Sequence, residues 1–166
     1  MKADSVAAYR ALTLAVAIAL IAQFMLGMIT NLYVAIPQSH PGAKANSYFS
    51  GLVHGLAWAT AHGAASLAVH ILLGLILAIS TIALAVLSVR SRQPRRIVPA
   101  LIGAAFTIGA GFDGASFLNY GHDLSSLLMA TFFAVALAAY ITALYLETAR
   151  APMPNKRTSA APMPTS

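Results

Sequence analysis

Four stretches of the chain are nearly unbroken runs of apolar residues, at 11–36, 56–89, 97–117 and 124–146. Nearly all charged and Pro residues fall outside them. A helix needs roughly 20 mainly apolar residues to cross the hydrocarbon core of a bilayer, and each run meets that length. Ala and Leu dominate the runs, so helix propensity agrees with hydropathy. None alternates strictly between apolar and polar positions, which excludes the strands of a membrane β-barrel. The pattern predicts an all-α fold: an integral membrane four-helix up-down-up-down bundle over residues 1–150. The first run is longer than the roughly 7–15 apolar residues of a signal peptide and reads as a retained span. A polar tail over 151–166 repeats Ala-Pro-Met-Pro and is expected to be disordered, because it cannot bury a core.

The second run is too long for one crossing. A continuous helix from Ser50 to Val89 would rise about 60 Å at about 1.5 Å per residue, twice the roughly 30 Å of the hydrocarbon core. The part before about Gly63 is therefore expected outside the bilayer or flat on its surface. Tyr48, Phe49 and Trp58 suit an interfacial belt there. Close helix packing in lipid rests on small residues, and four stripes at four-residue spacing are candidates. They are Ala11, Ala15, Ala19, Gln23, Gly27 and Asn31; Gly51, Gly55, Ala59 and Gly63; Gly103, Thr107, Gly111 and Ala115; and Ser126, Ala130, Ala134, Ala138 and Thr142. Gln23 and Asn31 are expected to find hydrogen-bond partners inside the bundle, since an unpaired buried amide is costly.

Composition sharpens this picture. Only 8% of the residues are charged, 59% are hydrophobic, and there is no Cys. A soluble domain is excluded, as are disulfides, Cys-ligated metals and thiol catalysis. The net charge of +6 follows from topology rather than from a nucleic-acid partner. Lys2, Arg10, Arg90, Arg92, Arg95, Arg96, Arg150, Lys156 and Arg157 fall on one side of the four spans, and Lys44 alone on the other. The bias predicts both termini in the cytoplasm, in a multi-pass protein whose constant partner is the lipid bilayer.

Candidate chemistry lies on the opposite side. His40, His54, His62, His70 and His122 all fall in the outer half or the outer loops, with Asp113 and Asp123. Ionisable groups within spans are rare and mark functional sites. His62, His70 and His122 are candidate ligands of a haem. His62, Asp113, His122 and Asp123 are the alternative set for a metal ion. His62, His70, Asp113 and His122 are expected to converge at the outer end of the bundle. His54, His62 and His70 are eight apart, so each step turns about 80° around a helix and the three cannot share one ion. A bis-His haem within one chain would use His62 or His54 with His122, and His70 would pair with Met25, Met28 or Met129, or with a second protomer. His40, before Pro41, reads as a solvated loop residue. No dinucleotide fingerprint, P-loop, Gly-x-Ser-x-Gly or paired-glutamate motif occurs, so no catalytic residue is assigned.

The stretches NLYVAIPQSHPG (31–42), HGAASLAVHILLG (62–74) and GFDGASFLNYGHDLSSLLMA (111–130) resemble small bacterial four-span membrane proteins of unassigned activity. That resemblance implies the bacterial inner membrane. The histidines of the second run are loosely similar to those of four-helix b-type cytochromes, but the fourth span lacks the matching His. Three function classes follow. The first is a non-catalytic accessory or assembly subunit of a larger membrane complex, or a homo-oligomer. The second is a haem b- or metal-binding redox protein with a His/Asp pocket on the outer side. The third is an oligomeric small-solute transporter.

Overall fold

The computed structural model describes residues 3–149, with side chains from residue 6 onward. The expected disorder of 151–166 concerns residues outside the described ones, as do Lys2, Arg150, Lys156 and Arg157. The chain forms five helices: α1 Ala3–Tyr33, α2 Tyr48–His62, α3 Ala65–Arg90, α4 Pro94–Tyr120 and α5 Asp123–Thr148. Four of them, α1, α3, α4 and α5, are long and apolar enough to cross a membrane. Only 22–28% of the most apolar window of each span is buried. Large apolar side chains such as Ile18, Met25, Leu72, Ile79, Leu127 and Ile141 point outward. In water that surface would drive aggregation; in lipid it is the matched solvent. The protein is a polytopic membrane protein.

The helix ends follow local chemistry. Pro94 occupies the first turn of α4, where a missing N–H costs nothing and the fixed φ suits a helix start. Gly121 ends α4 in the left-handed region, at φ 66°, which lets the chain reverse at once into α5. The long second run is not one helix. Gly63 takes an extended conformation (φ −74°, ψ 173°), α2 ends at His62, and α3 begins at Ala65 after a break of two residues. The expected span over 56–89 is thus a span over Ala65–Arg90 preceded by a separate helix. At 15 residues α2 rises about 22 Å, too short to cross, and it packs on α3 and α4 at the end of the bundle.

Around the bundle the backbone of each spanning helix packs on two others, in the cyclic order α1, α3, α4, α5; the diagonal pairs α1/α4 and α3/α5 have no close backbone approach and meet only through side chains such as Arg96 over Tyr9. The bundle therefore has two ends. One carries the start of α1, the α3–α4 turn and the end of α5, and is called here the terminal end. The other carries α2 and the connections 34–47 and 121–122, and is called the loop end.

Small residues do bring the helices together, though not always on the expected faces. Gly51, Gly55 and Ala59 form the buried face of α2, and Gly103, Thr107 and Ala115 are buried on α4. Gly111 is exposed, and a side chain there would meet nothing within 4 Å. On α1 the inward residues are Tyr9, Thr13, Val16, Ala17 and Leu20, while Ala11, Ala15 and Asn31 are exposed. On α5 they are Ser125, Ala136, Ala139, Tyr140, Ala143 and Glu147, and Ala130, Ala134, Ala138 and Thr142 face outward. In an Ala-rich helix small residues lie on every face, so the bulky and polar residues that lock the bundle decide which face turns in. Tyr140 shows this: it is fully buried and its ring fills the notch left by Gly103.

A cavity at the loop end of the bundle

The helices separate toward the loop end around a cavity of about 740 Å³. Leu20, Gln23, Gly27 and Thr30 of α1, His70 and Gly74 of α3, Ala110 and Asn119 of α4, and Met129 and Phe133 of α5 line it. Ile36, His40, Lys44 and Leu56 close its outer side. Most of the lining is apolar, and Phe24 stacks on Phe133 across the α1–α5 seam with ring centroids 4.8 Å apart.

The deepest polar contact joins α1 to α3. The Gln23 Nε2 amide donates to the backbone carbonyl of His70 at 3.0 Å and lies 3.3 Å from His70 Nε2. Each side chain rests against a glycine one turn further along the other helix. A Cβ at Gly27 would come 3.0 Å from His70 Cε1, and one at Gly74 would come 3.0 Å from Gln23 Nε2. Gln-x3-Gly on α1 and His-x3-Gly on α3 are thus reciprocal notches in antiparallel helices, where residues four apart share a face. The contact also fixes a proton. The atom against the His70 carbonyl has to be the amide nitrogen, because an oxygen there would set two acceptors together. Its second hydrogen then points at His70 Nε2, which must accept. An imidazole that accepts at Nε2 carries its hydrogen on Nδ1. This arrangement of the amide assigns His70 the tautomer with Nδ1 as its donor.

That donor has no partner. Neither do Gln23 Oε1, Thr30 Oγ1 and Asn119 Oδ1, all buried and all on residues that line the cavity. Buried polar atoms in folded proteins are nearly always paired, so four around one void need a cause. Thr30 sharpens the point. Every other described threonine donates its hydroxyl to a carbonyl three or four residues earlier on its own helix. Thr30 alone does not.

The outer cover is built on glycine and on His40. Gly42, at φ 98°, lies against the backbone of Gly51 and Gly55, and Asn119 fits against the bare face of Gly55. His40 is buried rather than solvated. Its Nε2 lies 3.1 Å from the Leu118 carbonyl, its Nδ1 3.0 Å from the Pro41 carbonyl, and its ring stacks on Trp58 at 4.6 Å.

Of the expected site residues only His70 reaches this cavity. His62, His122 and Asp123 are exposed, and neither they nor Asp113 line it. The break at Gly63 places His62 on a different helix from His70. Asp113 precedes the buried Ala115 by two residues, which turns it about 200° away from the inward face. His122 stacks beside Tyr120 at 6.3 Å. The expected convergence of His62, His70, Asp113 and His122 is not formed. Among the described residues no group of three or more His, Asp or Glu side chains could hold a metal ion, and the set His62, Asp113, His122 and Asp123 is not brought together as such a group.

The sequence reading missed a cluster at the terminal end. Arg96, 2% exposed, donates through Nε and Nη2 to the two carboxylate oxygens of Glu147, 6% exposed. Arg95 Nε lies 3.1 Å from the same carboxylate, and the Arg96 guanidinium sits 4.5 Å over the Tyr9 ring. The signal was present: Glu147 is the only glutamate of the chain and sits in an apolar helix. No protein-family model, curated protein or solved structure matches the chain.

Proposed function

We propose that the protein is a membrane-embedded binding protein, without catalytic groups of its own, that holds a lipophilic small molecule in the cavity at the loop end. One observation carries this reading: four buried, unpartnered polar atoms surround a large and otherwise apolar void. A pocket of this size lined mainly by apolar groups, with a few convergent polar atoms, is the usual form of a small-molecule site. A binding role agrees with the expected accessory subunit of a membrane complex, in which the bound molecule would serve a partner.

A second reading, haem b, is favoured by His70, Met28 and Met129 lining one cavity, since His and Met are both axial ligands. Against it, His70 Nε2 already accepts from Gln23, and the other candidate histidines lie elsewhere. We further place the chain in the bacterial inner membrane with the terminal end in the cytoplasm, because the Lys and Arg residues collect there. A reporter fused at Ser166 is then active only in its cytoplasmic form.

Purification in a mild detergent, followed by solvent extraction, mass spectrometry and an absorption spectrum, tests the main reading. Wild type releases one lipophilic species in near-stoichiometric amount, and Ala110→Phe, which fills the cavity, releases at least fivefold less. A Soret band that sharpens on reduction identifies haem instead. Equal traces of bulk lipid from both proteins overturn the binding role.

A further inference from the structure

We infer that the molecule held in the cavity is an isoprenoid quinone or its quinol, recognised at the head group by His70 and Gln23. This rests on the cavity being a binding site and adds the chemistry of its occupant.

The polar end of the cavity is uncharged. His70 accepts at Nε2 and is therefore a neutral imidazole, and Gln23 is an amide. The one cation among the lining residues, Lys44, belongs to the outer cover. A fatty acid or a phospholipid would bring an anion to this depth without a partner, a costly arrangement away from water. The occupant's polar end is therefore neutral.

The two free atoms are of opposite kinds. His70 Nδ1 offers a hydrogen, and Gln23 Oε1 accepts one. They belong to side chains already in contact, so the wall of the cavity carries one free donor and one free acceptor on neighbouring residues. A simple ketone or ester would satisfy the donor alone, and a simple alcohol can use one or the other. A quinone carbonyl takes the Nδ1–H, and the hydroxyl it becomes on reduction donates to Oε1. The wall thus offers a hydrogen-bond partner to a head-group oxygen in either oxidation state. Thr30 Oγ1, nearer the loop end, is free for the substituents or the opposite oxygen. Phe24, Phe112, Phe117 and Phe133 among the lining provide flat apolar faces for a ring. The hydrocarbon tail finds its own solvent in the bilayer around the bundle.

The chain carries one tryptophan, Trp58, stacked on the His40 that closes the cavity, so quinone binding can be read as quenching of its emission. Delipidated protein in nanodiscs is titrated with a short-chain ubiquinone, with a short-chain menaquinone, and with decanoate as the anionic control. A quinone is expected to quench saturably and decanoate is not. His70→Leu weakens quinone binding about tenfold or more, the scale of leaving one buried hydrogen bond unmade. Gly27→Ala keeps every polar group but pushes on the His70 ring, and is expected to weaken binding several-fold. It covers the case in which His70→Leu fails to fold. Gln23→Leu weakens the quinol more than the quinone.

Each result decides something. If a lipophilic species is recovered from wild type but neither quinone binds, or if both bind unaffected by His70→Leu and Gly27→Ala, the quinone assignment is wrong and the binding role stands. If nothing lipophilic is recovered and no probe binds, both fail together.

Discussion

The terminal end and the loop end of the bundle are made from the same four helices and the same Ala-rich composition, yet they are finished differently. At the terminal end Thr13, Leu84, Ser88, Tyr140 and Arg96 are all fully buried or nearly so. The hydroxyls of Thr13 and Ser88 turn back onto their own helices, and the charges of Arg95 and Arg96 close on Glu147. Both ends bury polar atoms without partners, among them the Tyr9 and Tyr140 hydroxyls at the terminal end, but only at the loop end do the helices stand apart so that such atoms line a large void. A bundle that needed only stability would be packed alike at both ends. The contrast separates the part that holds the fold from the part that is kept open.

The largest way to break this comparison is at the ion pair. Glu147→Leu leaves the buried Arg96 without its carboxylate, and the loss of one partner of such a pair costs about 3–5 kcal/mol. Thermal unfolding in detergent is expected to show a clear drop, with Gln23→Leu costing far less. Equal losses would mean that the two ends contribute alike.

Next is a pair of glycines on one helix. Gly103→Ala drives a methyl into the ring of Tyr140, and overpacking of this kind costs about 1–3 kcal/mol. Gly111→Ala meets open space and gains helix propensity of up to about 1 kcal/mol. Their stabilities are expected to move in opposite directions.

Gly42→Ala tests the cover. A side chain at φ 98° pressed against Gly51 is strained by about 1–3 kcal/mol, and the strain falls on a peripheral element. Amides of 40–62 are expected to exchange faster with deuterium while those of α4 near Gly103 do not change. Uniform acceleration would tie the cover to the core.

The smallest expected effect belongs to His62→Ala and His122→Ala. Both side chains are exposed and outside the cavity, so each is expected within about 0.5 kcal/mol of wild type, with ligand content unchanged. A loss of ligand in either variant would restore the convergent histidine site that the folded chain does not form.

The number of spans and the separation of the segment before Gly63 from the second span were legible because hydropathy and length are properties of single segments. So was the buried Gly51-Gly55-Ala59 face. The inward faces of α1 and α5 were not, since their small residues surround the helix and the choice depends on Tyr9, Tyr140 and Glu147 meeting other helices. Histidine was the right signal read too broadly. His70 reaches the cavity, but a break of two residues at Gly63 moved His62 elsewhere, and His40 was read as exposed although it caps the Leu118 carbonyl. Thr30 could not be singled out from sequence. It differs from the other threonines only in what its hydroxyl fails to do.

The cyclic order of the helices bears on biosynthesis. α4 and α5 are consecutive and pair as soon as both exist, and α3 packs against its successor α4. The ring closes where α1 meets α5, through Phe24 and Phe133, more than a hundred residues apart in the chain. Such distant pairings form late, and a growing chain folds from its N-terminus onward. Until α5 arrives, Gln23 and His70 stand on a wall that is open along one whole side to the membrane. Whatever occupies the cavity can therefore be enclosed during assembly rather than admitted afterward through the cover.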